Sequence, residues 1–429
     1  MKKTSSIMAT PNTLAPATVH ALQAQFGTPI FVYSQQQLED QARQALAFPN
    51  AFGLTARYAM KACPNAGVVR LLNRLGLHID ASSGYEAHRA MKAGVPPHQI
   101  QITAQQLPHD LSELIAKGVL FNACSAYQLT QYGQLFPGGQ LSIRVNPGLG
   151  SGHSNRTNVG GPSASFGIWH EQLDQIQAIA QEHRLQITGV HSHIGSGSDP
   201  AVWQRCARMT LDIAAQLPLV ERISLGGGFK VGRMPGEVST DLQAAGAPIP
   251  EEFIRFQQEH GRPLHLEIEP GTFFVANSGY LLSSVIDVIN TGADGYNFIK
   301  VDTGMTEVLR PSLYGSQHPI TLIPSTVEER IEVDYLVAGH CCESGDILTP
   351  EPDNPEGLLP RRLLQAQIGD VICIGGSGAY CAGMAAKNYN SFPEAPEVLL
   401  ANDGTFHLLR QRQSLEQVLV NEIMPELLS

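Results

Sequence analysis

No stretch of this 429-residue chain stays apolar for the length that a membrane span requires. Lys2 and Lys3 stand near the start, but no apolar core follows them, so neither an anchor nor a secretory leader is expected. Basic residues are in the minority: 28 Lys and Arg against 39 Asp and Glu leave a net charge of -11. That balance disfavours nucleic acid and anionic membrane surfaces as partners, while leaving room for a locally basic pocket. The seven cysteines, Cys63, Cys124, Cys206, Cys341, Cys342, Cys373 and Cys381, have no metal-type spacing and make no even disulfide framework. They read as the reduced thiols of a soluble cytoplasmic protein. There is no internal repeat, and low complexity is confined to residues 1–16, rich in Thr, Ser, Ala and Pro and read as a mobile tail.

What the chain does contain is a run of eight short strand-like segments rich in Ile, Val and Leu. In order they are Arg57–Lys61, Leu77–Ala81, Gln99–Ala104, Val119–Ser125, Leu141–Pro147, Ile187–Gly195, Arg222–Gly228 and Leu264–Gly271. Helical patterns lie between many of them, as at Asn65–Leu75, Gly84–Ala93, Leu111–Lys117, Glu171–His183 and Val202–Ala215. Strands alternating with helices imply parallel pairing, and eight of them imply closure. Residues 34–279 are therefore expected to form a (β/α)8 TIM-type barrel.

Beyond that region the strands follow one another with little helix between: Val285–Asn290, Phe298–Asp302, Ile331–Ala338, Asp370–Ile374, Glu397–Ala401 and Phe406–Leu409. Turns such as Asp294-Gly295 and Asn402-Asp403-Gly404 argue for an antiparallel β-barrel or sandwich domain. Residues 280–429 are assigned to it together with 17–33, in which Pro29–Tyr33 adds a strand.

In such barrels chemistry gathers at the C-terminal strand ends, and phosphate groups are held by the loops after strands seven and eight. Lys61 closes the first segment, where an amine is positioned to make a Schiff base. Gly226-Gly227-Gly228 closes the seventh and Glu269-Pro270-Gly271 the eighth. Consecutive glycines let backbone N–H groups cradle an anion, although an ordinary tight turn would use the same residues. His191 and His193 share one strand face, which leaves a metal site as an alternative, but no third ligand of suitable spacing accompanies them.

The pieces Tyr58-Ala59-Met60-Lys61-Ala62, Arg144-Val145-Asn146-Pro147-Gly148, His191-Ser192-His193-Ile194-Gly195-Ser196, Gly226-Gly227-Gly228, Glu269-Pro270-Gly271, Arg310-Pro311-Ser312-Leu313-Tyr314, Cys342-Glu343-Ser344-Gly345-Asp346 and Gly378-Ala379-Tyr380 resemble, in order, those of fold-type III pyridoxal-phosphate decarboxylases. The resemblance runs from about residue 28 to 392 and is strongest to the diaminopimelate decarboxylases, weaker to those acting on ornithine and arginine.

The resemblance implies pyridoxal 5'-phosphate as cofactor and Lys61 as its Schiff-base lysine. Glu269 is implied beside the pyridine nitrogen, where an acid favours decarboxylation and an arginine would favour racemisation; Glu267 points the same way and competes for that role. His193 resembles the histidine that stacks on the ring, and Ser196, Gly227, Gly228, Gly271 and Tyr380 resemble the residues around the phosphate. Asp80 is implied to orient lysine or cofactor, with a buried structural acid as the alternative. Cys342 and Glu343 resemble a proton donor and a substrate-binding acid contributed by the opposite subunit of a homodimer, with Cys341 as a confounding neighbour to the first. Arg310, Tyr314 and Tyr380 resemble substrate contacts, the first two toward a distal carboxylate, for which a planar guanidinium is suited. An ordinary surface or interface residue is the alternative reading of Arg310.

The implied reaction is decarboxylation of meso-2,6-diaminopimelate to L-lysine. The chain departs from that pattern at Thr272, where an arginine is usual, in the loop Gly148–Gly161, and at Ser163–Ile168, which lacks a lysine. Arg233, Lys230 and Arg156 are the nearby basic residues in sequence. A related amino-dicarboxylate in a specialised pathway is therefore a second reading. A non-catalytic cofactor-binding homologue is a third, disfavoured by the presence of both Lys61 and Cys342.

Overall fold

A computed structural model describes residues 7–8, 13–150, 159–193, 195 and 200–428. The chain divides into two compact units. The first comprises Glu39–Val231 and Val238–Phe274 with the start of the chain; the second comprises Ala9–Leu38, Gly232–Glu237 and Val275–Ser429.

All eight barrel strands form where the apolar runs place them: Leu54–Ala59, His78–Ala81, Ile100–Ile102, Leu120–Ala123, Gln140–Asn146, Gln186–His191, Arg222–Ser224 and His265–Ile268. Every neighbouring pair is parallel, and the eighth strand pairs with the first, so the sheet closes. Three of the connecting helices start on capping side chains. Asn65 accepts from Gly67 N, Ser83 from Glu86 N and Ser125 from Gln128 N, each satisfying an N–H that the helix itself leaves free.

Period two decides what the barrel encloses. On one set of strand positions stand Ile79, Ile143, Val145, Val190, Ile223, Leu266 and Ile268, all buried and apolar. On the alternate set stand Arg57, Asp80, Gln101, Asn122, Arg144, His191, Ser224, Glu267 and Glu269, equally buried and polar. Buried polar groups are tolerated only when they satisfy one another. Many of these do so across the barrel interior.

One such contact is Arg57 with Glu267: Nη2 donates to Oε1 at 2.8 Å and Nε to Oε2 at 3.3 Å, with both side chains buried. Arg222 stands 4.0 Å from the same carboxylate. Gly189 is required beside it, because a Cβ there would come within 3.0 Å of Arg222 Nε and 2.9 Å of Ser142 Cβ. Glu267, the competitor to Glu269, is thus fully engaged by arginine.

The second unit is built on a nine-stranded sheet running Arg361–Leu364, Glu332–Ala338, Asn297–Val301, Gly279–Asn290, Ile30–Ser34, Glu397–Leu400, Phe406–Arg410, with Val371–Ile374 and Ile320–Ile323 attached beside Gly279–Asn290. The strand near residue 30 joins it as expected. The pairings are antiparallel except two, Asn297–Val301 with Glu332–Ala338 and Ile30–Ser34 with Glu397–Leu400, so the sheet is mixed rather than purely antiparallel. Its core packs Leu14, Val19, Leu22, Ile30, Val32, Tyr280, Leu282, Val371 and Val398. No helix among the described residues is long and apolar enough to cross a membrane.

Candidate active site

Lys61 follows the first barrel strand in a single 3-10 turn, Met60–Ala62. The turn is held from both sides. Tyr58 donates its hydroxyl to Cys63 O at 2.9 Å, and Ala59 N donates to Pro270 O at 3.2 Å. Gly271 lies so close that a Cβ would stand 3.1 Å from Ala59 O and 3.3 Å from Ala62 Cβ. The Lys61 side chain is exposed, and its charge acts on Asp80, Glu86, Cys124 and His193.

Glu269 is buried at the end of the eighth strand. Ser224 donates its hydroxyl to Oε1 at 2.7 Å, and Gln101 Nε2 donates to the same oxygen at 3.4 Å. His191 brings Nε2 to 3.1 Å from Oε2, off the direction of a well-aligned hydrogen bond. Asn122 Nδ2 lies 2.8 Å from His191 Nδ1; an amide N–H donating there makes Nδ1 an acceptor and leaves the ring proton on Nε2, facing the carboxylate. Burial opposes charge on Glu269, but His191, Ser224 and the more distant Arg57 outweigh it and hold the carboxyl well below its ordinary range. With Nδ1 accepting from Asn122, His191 turns Nε2 toward Glu269 without completing a well-aligned hydrogen bond.

Asp80, at the end of the second strand, behaves in the opposite way. Burial and the Glu269 charge push its carboxyl up to about 7, with Lys61 opposing, and Oδ1 has no hydrogen-bond partner among the described residues. His193 is driven well below an ordinary histidine by burial, then by the charges of Arg144 and Lys61. Its ring is therefore neutral near pH 7, with Nδ1 buried and unpartnered. It lies 6.5 Å from the His191 ring centroid at 15°, and a Cβ on Gly226 would come within 2.7 Å of it.

Gly227 and Gly228 leave similar bare backbone: a Cβ would meet Glu269 O at 2.8 Å and Gly195 O at 2.5 Å respectively, and Gly228 has φ +100°. Lys61, Asp80, His193, Gly227, Gly228, Glu269 and Gly271 therefore meet at one end of the barrel. Ser196 and Arg156 lie outside the described residues.

The remaining sequence-predicted residues belong to the second unit. Arg310 and Tyr314, both half-buried, bound a short helix ended by Gly315 at φ +64°. Arg310 Nη2 donates to Ser316 Oγ at 3.2 Å, and its Nε is buried without a partner. Tyr380 is half-buried at φ +56°, a left-handed conformation unusual for a tyrosine. Beside it, Gly378 has no space for a side chain against Val275 O.

Cys341 and Cys342 separate clearly. Cys341 N donates to Asp346 Oδ2 at 2.9 Å, and burial with the Asp346 charge pushes its thiol up to about 12. Cys342 is exposed, its N–H donating to Asn390 Oδ1 at 2.8 Å. Asp346 is buried and also accepts from Met305 N at 2.7 Å, so the last residue of the Cys-Glu-Ser-Gly-Asp motif pins the loop carrying Cys342. Glu343 is exposed and lines a cavity of about 410 Å³ with Met305, Lys387, Asn388 and Tyr389.

Residues 37–276 match the family model described as "Pyridoxal-dependent decarboxylase, pyridoxal binding domain". The chain belongs to this family of pyridoxal-dependent decarboxylases. Diaminopimelate decarboxylase of Escherichia coli strain K12 is 36% identical over 428 residues, covering 98% of this chain and 99% of that one. A crystal structure of diaminopimelate decarboxylase superposes with a TM-score of 0.86 at 35% identity, covering 93% of this chain and 94% of that one. The Helicobacter pylori enzyme, solved with L-lysine, gives 0.81 at 26% identity, covering 94% and 98%.

Pyridoxal phosphate is the cofactor of such a decarboxylase, and the residues present fit it. The barrel mouth offers an amine at Lys61, a buried carboxylate at Glu269, a neutral ring with an unpartnered nitrogen at His193, and backbone without side chains at Gly226-Gly227-Gly228. The sequence did not single out Ser224, Gln101 and Asn122, which surround or support Glu269, and pointed to His191 only as a metal-ligand alternative. Their one signal was polarity recurring at period two inside otherwise apolar strands.

Proposed function

We propose that this decarboxylase removes the α-carboxylate of an amino acid bearing a second carboxylate, with meso-2,6-diaminopimelate giving L-lysine as its reaction. The similarity to Escherichia coli diaminopimelate decarboxylase over nearly the whole of both chains carries the reading. When bound, pyridoxal phosphate supplies an electron sink for the bond broken as carbon dioxide leaves.

The chain's own residues do the rest. Lys61 is the amine that would hold the cofactor through its aldehyde. Glu269, kept anionic by its neighbours, holds a proton at the ring nitrogen and so strengthens the sink. His193, with its uncharged ring, and Gly227, Gly228, Gly271, Ser196 and Tyr380 are the residues that would hold the cofactor ring and its phosphate. Asp80 orients the lysine or the cofactor. Arg310 and Tyr314 bind the distal carboxylate, with Tyr380 also touching substrate. Cys342 returns a proton to the α carbon and Glu343 receives the distal amine, both from the second subunit of a homodimer; a cytoplasmic location belongs to the same proposal.

Thr272 favours a second reading in which the mechanism is kept and the substrate is a related amino-dicarboxylate. Carbon dioxide release measured with meso-diaminopimelate, ornithine, lysine, arginine and glutamate decides between them. Turnover of diaminopimelate alone supports the first reading; turnover confined to the basic amino acids removes the role of Arg310. Mixing inactive Lys61→Ala with inactive Cys342→Ala subunits is expected to restore part of the activity, and no recovery counts against a shared site.

A further inference from the structure

Arg233 leaves the seventh barrel strand in a short segment, Gly232–Glu237, that groups with the second unit. Its turn is tight: Glu237 Oε2 accepts from Arg233 N at 2.7 Å and Met234 N at 3.1 Å, which spends that carboxylate oxygen on the backbone. The guanidinium reaches away and donates Nε to Gly376 O at 3.1 Å. A Cβ on Gly376 would stand 2.9 Å from Arg233 Cδ, so the arginine occupies space that only glycine leaves open.

Arg310 is its neighbour by charge, and no carboxylate among the described residues pairs with either guanidinium. Arg233 Nη2 and Arg310 Nε are buried and unpartnered. Burial first, and then Arg310, bring Arg233 down to about 9. Two cations arranged this way, with donors left over, call for a planar anion.

Beside them lies His318, buried, with Nδ1 donating to Gly375 O at 3.0 Å and Nε2 unpartnered. Burial and the charges of both arginines hold it neutral, so Nε2 presents a lone pair. These groups together suit a carboxylate with an ammonium on the adjacent carbon, as the end of an amino acid has, the guanidinium donors meeting the first and the His318 Nε2 lone pair the second. A fully ionised phosphate offers no such donor.

We propose that Arg233 binds, jointly with Arg310, a carboxylate at the distal end of the substrate and is a specificity-determining residue of this decarboxylase. The assignment rests on the preceding reading that the substrate has a second carboxylate.

The test uses the cofactor-loaded protein and two amine-free probes, pimelate with two carboxylates and hexanoate with one, titrated by calorimetry. Arg233→Gln is expected to weaken pimelate about tenfold or more and leave hexanoate and the affinity for pyridoxal phosphate unchanged. Arg233→Lys, which keeps the charge and loses the fork, falls between; it also serves if the glutamine variant does not fold. Unchanged pimelate binding overturns the proposal, as does a wild type with no preference for pimelate over hexanoate. Equal weakening of both probes overturns it in favour of a structural role. Weakened cofactor binding with pimelate unaffected overturns it in favour of phosphate. A pimelate site that depends on Arg233 in a protein releasing carbon dioxide from no amino acid sinks the proposed reaction and leaves this site standing. Diaminopimelate turnover with an unchanged KM in Arg233→Gln does the reverse.

Discussion

His191 Nε2 lies 3.1 Å from Glu269 Oε2 inside the barrel, and Asn122 on the far side of the ring fixes which nitrogen carries the proton. The carboxylate is thereby kept charged despite burial. A folded value below the ordinary 4.5 gives stability that is present above 4.5 and lost only as pH falls through the depressed value. His191→Phe removes the neighbour that lowers it most. Activity is expected to drop on the order of tenfold to a hundredfold, with the acidic limb of the kcat profile moved upward in pH. His191→Gln, which restores an N–H donor, is expected to recover part of the loss. A pH profile identical to wild type in the phenylalanine variant would show that Glu269 holds its charge without this ring.

Arg57 and Glu267 form a pair that is nearly inaccessible to water, which makes them a structural couple. Breaking one side leaves a buried charge without its partner, so Arg57→Met alone is expected to lose about 3–5 kcal/mol of folding stability. The double variant Arg57→Met with Glu267→Gln is expected to lose less than the single one. Denaturant titration of the wild type, Arg57→Met, Glu267→Gln and the double variant checks this. A double variant as unstable as the sum of its parts would rule out the coupling.

Most of the frame was legible because it depends on local pattern. The eight apolar runs and the helical patterns between many of them each announce their element. Lys61, Glu269 and the glycine run were placed at strand ends, where chemistry in a barrel gathers, while His193 was named through the family resemblance. The support beneath them was not legible, because Ser224, His191 and Gln101 come from three strands remote from Glu269 in sequence and meet it only once the sheet closes. The parallel pairs of the second unit escaped for a related reason: Ile30–Ser34 finds its partner strand Glu397–Leu400 across nearly the whole chain. Thr272 signalled a missing cation, but nothing local could say that the charges of Arg233 and Arg310 act on one another.

Asp80 titrates in the opposite sense to Glu269. Its carboxyl rises from 3.8 to about 7, chiefly through burial, so the fold holds this proton more tightly than the unfolded chain does. The resulting stabilisation is fully present below pH 3.8 and is lost as pH rises through about 7. Asp80→Asn cannot ionise. In the absence of cofactor it is expected to be more stable than wild type at about pH 8, by on the order of 1–4 kcal/mol, and to differ little near pH 4. Denaturation at the two pH values is the measurement, and a gap of the same size at both would contradict the shifted carboxyl.

Adjacent cysteines give the sharpest contrast between neighbours. Cys341 is turned toward Asp346 with its thiol pushed up to about 12, whereas Cys342 is exposed. Only the thiolate attacks an alkylating agent, so a thiol raised that far has almost none at neutral pH. Brief iodoacetamide treatment of the isolated chain is expected to modify Cys342 and spare Cys341, as read by peptide mass spectrometry. Asp346→Asn removes the charge that holds the Cys341 thiol up and frees the loop that Asp346 pins, so the same treatment should then label both residues. Labelling of Cys341 at the rate of Cys342 in the unaltered protein would remove the basis for assigning the proton to one cysteine of the pair.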